Sequence, residues 1–573
     1  MTISKLLKFS DSELGESRLG RFLYPDGRCT RRGLVATLIS VLIALASVGV
    51  LIYYIFGPME GYLHSDYTDT IYWANATIES GKVFDPDFVY AGLLPFSANL
   101  WMMPLILMFG VSMTAQNIGM LIFMLFLAAS VYFMCRGFKW SISWTALTIA
   151  SFMLLLSGSD KLREIMWGHV IYYSLALLLL CLGVGIAARV SEIKTKPRVR
   201  EIVLCVLGGL LFVGTATNGF QLIALVTLPC MGVIVAEMLF NPTKKLLDKS
   251  NTASIIGVIG IGVCTVIGIF LLNLMKGDIK AGYTTGYSYI APVNVWLENF
   301  LDIPRSWFEL FGVNYTRSIE MMQPESIKMI FMALVGAVIA VLPIVGIFNY
   351  RKITDRGVRA ILIAHLAVTA VIMFGYTCGY LGGAIWRMTP MMGTAILASV
   401  STVKHLASVA KDISFVPRRI AALLLALLIG GSYLNFSAMS KMPADYGRDN
   451  SKHLLIEELE ERGLEYGYAT FWYSQAITLM SDSKIKVRMI LADEDDGVTT
   501  DYYQNSFKWY EDQPGVDKYF VILSSYENSV VSKSDKWLEF TKKYAVEKEY
   551  LLDSFVLYVF ERNLEFPDPE LYK

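Results

Sequence analysis

Charge is what this sequence has least of. Only 17% of its 573 residues are Asp, Glu, Lys or Arg, against about 25% in an ordinary soluble domain, which excludes a chain that is globular and water-soluble throughout. Cysteine is sparse. There are seven, and none follows Cys378, so the last third of the chain holds no disulfide even in an oxidising compartment. The absence of a CxxC or a Cys/His cluster removes a structural zinc or iron–sulfur centre. No glycine-rich phosphate loop and no internal repeat occurs, which removes the common nucleotide-binding and solenoid architectures. Basic and acidic residues balance at 50 each, so nothing in the net charge points to nucleic acid as a partner. Nor is a cleavable signal peptide expected at the start. About thirty mostly polar residues precede the first apolar run, and no small-residue cleavage site follows it.

What the sequence does have is apolar runs. Hydrophobic residues make up 54% of the chain and the mean hydropathy is +0.48. About eleven runs are long enough to be read as spans of a bilayer core. They lie near 34–56, 115–135, 142–157, 169–188, 201–217, 220–240, 253–275, 328–349, 358–378, 385–403 and 419–437. The connecting charges test that reading. Lys5, Lys8, Arg18, Arg21, Arg28, Arg31 and Arg32 precede the first span. Arg136 and Lys139 follow the second, Arg189, Lys194, Lys196, Arg198 and Arg200 the fourth, and Lys244, Lys245 and Lys249 the sixth. Arg351, Lys352, Arg356 and Arg359 follow the eighth, and Lys404, Lys411, Arg418 and Arg419 the tenth. Every even-numbered exit is basic, so the N-terminus and these loops are expected in the cytoplasm. The protein is then a multi-pass protein of the plasma (cytoplasmic) membrane with its C-terminal part outside.

Residues 93–110 (LLPFSANLWMMPLILMFG) are apolar enough to break this count. Were they a span, every later basic loop would lie outside. Pro95, Asn99 and Pro104 also suit an interfacial or broken helix, so the segment is expected to stay on the outer side. The fold class is therefore a polytopic α-helical membrane protein with a soluble C-terminal α/β domain. A cytoplasmic segment covers 1–33. A transmembrane domain covers 34–440, with long outer loops at 57–114 and 276–327. An extracytoplasmic domain covers 441–573. In this tail, SKHLLIEELEERG reads as a helix, EYGYAT as a strand, 472–481 as a helix and IKVRMI as a strand. KYFVILSS reads as a strand, KWLEFTKKY as a helix, and AVEKEYLL and SFVLYVFE as strands. That alternation implies a mixed sheet covered by helices.

Chemistry is expected outside, because the inner loops are short and merely basic. The sharpest cluster follows the first span: Gly61-Tyr-Leu-His-Ser-Asp66-Tyr-Thr-Asp69-Thr-Ile-Tyr-Trp-Ala74. If 66–80 is helical, Asp66 and Asp69 share a face. Such a pair binds a divalent cation, Mg²⁺ or Mn²⁺, or accepts a proton from a sugar hydroxyl. The plainer alternative makes Asp66 a helix cap. Before the fourth span, Glu164 and His169 in Lys161-Leu-Arg163-Glu164-Ile-Met-Trp167-Gly168-His169 face the same side, as acceptor-binding or auxiliary groups or as interfacial capping residues. Asn218 and Gln221 join helices. Arg305 and Arg317 are candidates for phosphate. Tyr283, Tyr287, Tyr289, Trp296, Trp307 and Tyr315 anchor the second long loop at the interface or stack on sugars. Asp85 and Asp87 in FDPDF are turn formers.

The order of a first span, a loop with an acidic residue about eight before an alanine, then Gly-Lys, a "DPDF" run and a proline-containing interfacial helix resembles the GT-C glycosyltransferases. These include protein O-mannosyltransferases and bacterial transferases acting on lipid A or cell-wall polymers. The resemblance implies that Asp66, placed by its distance from Ala74, is the catalytic base or metal ligand, and that the donor is a polyprenyl-phosphate or -diphosphate sugar. Relatives often carry Asp-Glu or Asp-x-Asp where this chain has Asp66, Tyr67 and Asp69. Trp386-Arg387-Met-Thr-Pro390 is similar to the Arg-Tyr-x-x-Pro text of such transferases, with Met388 for the tyrosine. Independently, a guanidinium at the interface grips phosphate bidentately, or snorkels to headgroups.

These readings converge on a membrane glycosyltransferase moving a hexose or pentose from a polyprenyl-phosphate donor to a glycan, lipid or protein acceptor among membrane lipids. A transporter or flippase of lipid-linked glycans would want charged residues within its spans, where His365 is the main exception. A non-catalytic scaffold with an outer sensor domain would not need clustered carboxylates in one loop. The charge pattern makes a direct prediction. Cysteine probes at positions 85, 300 and 500 react with a membrane-impermeant thiol reagent added outside, and probes at 196 and 354 do not. Outside access at 196 overturns the topology.

Overall fold

A computed structural model describes residues 11–25, 29–190, 192–193, 198–240, 251–279, 289–313, 318–379, 384–409, 415–444 and 450–569. Arg317, Tyr283, Tyr287 and Tyr315 lie outside the described residues, as do Lys194, Lys196, Lys244, Lys245 and Lys249. The helices, in chain order, are α1 (Arg31–Phe56), α2 (Asp69–Ser80), α3 (Asn99–Phe109), α4 (Met113–Gly137), α5 (Ile142–Leu155) and α6 (Tyr172–Val190). Then come α7 (Val199–Thr217), α8 (Phe220–Phe240), α9 (Thr252–Lys276), α10 (Trp296–Leu310), α11 (Pro324–Phe348), α12 (Arg356–Cys378), α13 (Thr389–Val409) and α14 (Phe415–Ser440).

Nine helices among the described residues are long and apolar enough to cross a membrane. They become ten if α5 and the segment Asp160–Gly168, bent by 119° from it, count as one span. Two of the eleven expected runs depart from a plain span. The run near 142–157 gives α5, only 14 residues long. The run near 385–403 gives α13, which is buried on all sides from Thr389 to Val403. A helix enclosed by other helices has no need of an apolar surface. It accommodates Thr394, Ser401 and Thr402 by turning each hydroxyl onto a carbonyl of its own helix.

At one end of the bundle the basic loops gather into a network. Arg136 donates to the Phe22 carbonyl (2.8 Å), Lys139 pairs with Glu192 (3.0 Å), Arg356 lies 3.7 Å from the same carboxylate, Arg359 pairs with Glu237 (2.8 Å), and Lys404 pairs with Asp355. The other end carries the C-terminal domain. Both ends of the 93–110 region meet that domain. Val89 exchanges backbone bonds with residues 504 and 505 (3.0 Å each). Past α3, the Val111 carbonyl accepts from Ser483 (2.7 Å) and Met113 N–H donates to Asp482 (3.0 Å). The segment therefore starts and finishes on one side. At 11 residues, and a rise of about 1.5 Å per residue, α3 is too short to cross.

The domain is built on six strands, β1 (Tyr466–Thr470), β2 (Lys486–Asp493), β3 (Gly497–Thr499), β4 (Tyr519–Ser524), β5 (Ala545–Leu551) and β6 (Phe555–Phe560), in the order β3-β2-β1-β4-β6-β5. β1 runs parallel to β2 and β4, and the remaining pairs are antiparallel. Four helices accompany it, α15 (Ser451–Glu461), α16 (Ser474–Met480), α17 (Ser525–Val531) and α18 (Asp535–Tyr544). Every strand and helix expected in this tail is present. The short β3 and α17 were not anticipated. Asp85 accepts from the Asp87 N–H (3.0 Å), the turn expected of FDPDF.

Packing within the bundle is uneven. In α9 only Ser254, Ile261 and Gly268 are buried, a seven-residue repeat that makes a narrow seam. At Gly268 an added Cβ would lie 2.4 Å from the Val213 carbonyl oxygen and 2.6 Å from the Ala216 Cβ. Gly268→Ala is therefore expected to push α9 off α7 and to cost about 1–3 kcal/mol, read as a lower melting temperature in detergent. Gly260→Ala, with open space around it, is the matched control and should be neutral. In the labelling experiment, Asp85 and Thr500 are packed away, so the exposed Val83 and, in the same domain as Thr500, the exposed Lys518 carry the probes.

Candidate active site

The chain leaves α1 through Gly57 and makes two short 3-10 turns, Pro58–Tyr62 and Ser65–Thr68, before α2 begins at Asp69. The helix expected from 66 thus starts three residues later. Asp66 lies in the turn, and Thr68 takes the N-cap position with no side-chain bond, so Asp66 does not act as a cap. Its carboxylate is one-third exposed (34%), 3.9 Å from Nδ1 of His64. Nε2 of the same imidazole lies 3.4 Å from Glu164, and Lys161 closes on Glu164 at 2.6 Å.

Glu164 begins a single π-helical turn, Glu164–Gly168, a distortion often found at functional sites. Gln116 holds this turn against the Asp66 turn by donating to the carbonyls of both Tyr67 and Gly168 (2.8 Å each). Gly168 is the close approach. A Cβ there would stand 2.3 Å from the Tyr67 ring. Burial pushes the Glu164 carboxyl up, but the His64 bond and the Lys161 charge outweigh it and bring its pKa to about 2.

Asp69 has a different environment. It is buried, with Oδ2 3.7 Å from Nδ1 of His169 and Oδ1 accepting from Nε2 of Gln504 (2.7 Å). Trp73 Nε1 donates to the other end of that amide (2.6 Å), which fixes which way Gln504 points. Gln504 belongs to the C-terminal domain. Its backbone sits in the left-handed region (φ 58°), where a non-glycine residue stays only if its surroundings hold it. Its N–H bonds to Val89 and its carbonyl accepts from Gln475 (2.6 Å). Burial pushes the Asp69 carboxyl up to about 7; His169 opposes the rise, and Asp66 and Glu164 add to it. Burial pulls the His169 imidazole down, but Asp69 outweighs this and the net shift is upward.

The two carboxylates expected to share one ligand therefore part company. Asp66 joins His64 and Glu164, whose ligand atoms all lie within 4.8 Å of one another. Asp69 faces His169 and Gln504. Nδ1 of His64 is buried and makes no hydrogen bond, and with Nε2–H turned to Glu164 its lone pair suits a ligand. An imidazole and two carboxylates form a fitting set for a divalent cation, although Lys161 already neutralises one of them.

Arg387 is buried in the turn Ile385–Met388 at the start of α13. The preceding Trp386 lies under the Lys161 ammonium, 5.0 Å from the ring centre, which links this turn to Glu164. Arg305 is exposed on α10, where it lies 4.0 Å from Asp302. Asn218 bonds both backbone groups of Phe96, as a joining amide should. His64 and Gln504 were not singled out in the sequence. His64 carried a signal, since it lies two residues before Asp66. Gln504 carried none, being 435 positions from its partner.

The Asp69 environment has a pH consequence. Between its ordinary value of 3.8 and about 7, Asp69 holds more protons folded than unfolded. Stability therefore falls as pH rises through that window, by up to about 4 kcal/mol. His169, also raised, contributes with the same sign above its ordinary value. The melting temperature should drop between pH 5 and pH 8, and Asp69→Asn, which still accepts from Gln504, should remove most of the drop. An unchanged slope in the variant would refute the assignment.

No protein-family model and no curated relative matches the sequence. Solved structures do. ArnT from Cupriavidus metallidurans bound to undecaprenyl phosphate superposes with a TM-score of 0.51 at 12% identity, covering 92% of this chain and 98% of that one. The same protein in the apo state gives 0.47 at 14% identity over the same shares. The Archaeoglobus fulgidus oligosaccharyltransferase tethered to an acceptor peptide gives 0.42 at 10%, over 92% and 74%. At such identities the likeness is one of fold. Over 92% of its length this chain therefore has the fold of ArnT, a polytopic helical bundle with a C-terminal α/β domain in this chain.

Proposed function

We propose that this chain transfers a sugar from a polyprenyl-phosphate donor to an acceptor hydroxyl, at the end of the bundle that carries the C-terminal domain, and that this end is extracytoplasmic. The observation that carries the reading is Asp66, a partly exposed carboxylate in the first loop of a GT-C fold, beside a histidine and a second carboxylate. The gathering of basic loops at the opposite end supports the orientation.

In this reading Asp66 takes the proton of the acceptor hydroxyl as its oxygen bonds to the anomeric carbon. The bond from that carbon to the phosphate oxygen breaks, and its electron pair leaves on polyprenyl phosphate. One displacement inverts the anomeric centre. Glu164, held ionised by His64 and Lys161, fixes the His64 ring, whose other nitrogen lies 3.9 Å from Asp66. The Arg387 guanidinium stabilises the departing phosphate. If Mg²⁺ or Mn²⁺ takes part, His64, Asp66 and Glu164 would hold it, and it would supply Lewis-acid stabilisation of phosphate charge. ArnT bound to undecaprenyl phosphate has the same fold, which supports a polyprenyl-linked donor. The sugar and the acceptor class are part of the proposal.

Asp66→Asn keeps size and removes basicity. Transfer of labelled sugar from membrane lipid to a larger acceptor should fall by roughly 10²–10⁴-fold, with normal protein level and melting temperature because the side chain is partly solvated. Arg387→Lys should raise the KM for the donor, since an ammonium does not reproduce the guanidinium fork. Full transfer by Asp66→Asn would sink the catalytic assignment.

A further inference from the structure

The contacts around Asp66 form a line from one domain to the other. Trp386, beside Arg387, lies under Lys161 at 5.0 Å. Lys161 pairs with Glu164 at 2.6 Å, and Glu164 lies 3.4 Å from His64. The His64 ring meets the indole of Trp472 edge-on, with centroids 5.3 Å apart. The first end of the line belongs to the helical bundle and the last to the sheet domain.

Trp472 is 56% exposed, whereas Trp73, Trp140 and Trp167 are fully buried. Its loop is nevertheless pinned. Ser65 Oγ donates to the Phe471 carbonyl and lies 3.4 Å from Ser474 Oγ. The backbone is fixed to the Asp66 turn while the indole is displayed. The loop leaves the carboxyl end of β1. From β1 the chain passes to β2 on one side, and β4 lies on the other, so the strand order reverses here. Open α/β sheets bind ligands at the carboxyl ends of strands at such a reversal. Tyr526, 77% exposed, follows β4, so an exposed aromatic follows each of the two strands at the reversal. Thr470 bonds Glu527 (2.5 Å) between them.

We propose that the surface at this reversal, with Trp472 as its platform, binds a saccharide ring of the acceptor and presents its hydroxyl to Asp66. A pyranose has an apolar C–H face that stacks on an indole, whose face carries partial negative charge. An extended peptide would instead seek a free strand edge, and β1 is flanked on both sides by β2 and β4. The donor phosphate belongs with Arg387 at the far end of the line, which leaves the acceptor for the Trp472 end. The choice of acceptor rests on the function proposed above; saccharide binding does not.

The test uses the full chain in nanodiscs with free probes: methyl β-glucopyranoside, methyl β-N-acetylglucosaminide and a serine-containing peptide. Saturation-transfer NMR should show signal on the ring C–H protons of at least one pyranoside. Trp472→Ala should weaken binding by roughly 10-fold, and Trp472→Phe should restore part of it. Melting curves establish that each variant is folded. If Trp472→Ala is not, Trp472→Phe and Tyr526→Ala decide, each expected to weaken the signal. Equal signal in the parent and these variants, signal on the peptide alone, or no pyranoside signal overturns the inference. Saccharide binding combined with full transfer by Asp66→Asn would remove the proposed function and leave this site standing. Asp66-dependent transfer with an unchanged acceptor KM in Trp472→Ala would remove this site alone.

Discussion

A buried carboxylate needs partners, and for Asp69 the chain supplies them from two distant places. Its two oxygens meet His169 from the loop before α6 and Gln504 from the C-terminal domain. A buried hydrogen bond to a charged group is worth about 1.5–3 kcal/mol, and leaving such a group unpaired costs more. Much of the local geometry serves that contact. Trp73 orients the Gln504 amide, while Val89 and Gln475 hold its backbone in a conformation it would otherwise avoid. Asp66, three residues earlier, is positioned by the same docking, because Ser65 is tied to the Phe471 carbonyl of the same domain.

The bundle separates its polar work by end. One end joins the N-terminal segment and the short loops through the Glu192, Glu237 and Asp355 carboxylates. The other end holds the carboxylate–imidazole pairs and the sheet domain. Between them, polar side chains such as Ser401 and Thr402 serve their own helix, and Thr394 also meets His365 of α12 at 3.0 Å. Two chemically different ends follow from one constraint: charges stay out of the apolar middle unless something pairs them.

The legible part of this architecture was the part written in local periodicity. Apolar runs marked the helices. The parity of basic loops singled out 93–110 as non-crossing, and the bonds at Val89, Val111 and Met113 agree. Alternation in the tail gave the main strands and helices, while the three-residue β3 was too short to leave a pattern. Asp66, Asp69, Glu164 and His169 stood out as acidic and imidazole groups beside spans. Their grouping was illegible, because it depends on a helix starting at Asp69 rather than at 66, on a π turn at Glu164, and on Gln504 reaching back across the sequence.

That reach has a consequence in time. A ribosome makes α2 long before it makes Gln504, so the growing bundle enters the membrane with Asp69 still lacking its amide partner. Until the sheet domain emerges and docks, the early loop is without Trp472 beside His64 and without the brace on Ser65. A translation product stalled before Trp472 would therefore insert normally while lacking the contacts that brace the Asp66 and Asp69 loop, and these would arrive only as the sheet domain is made.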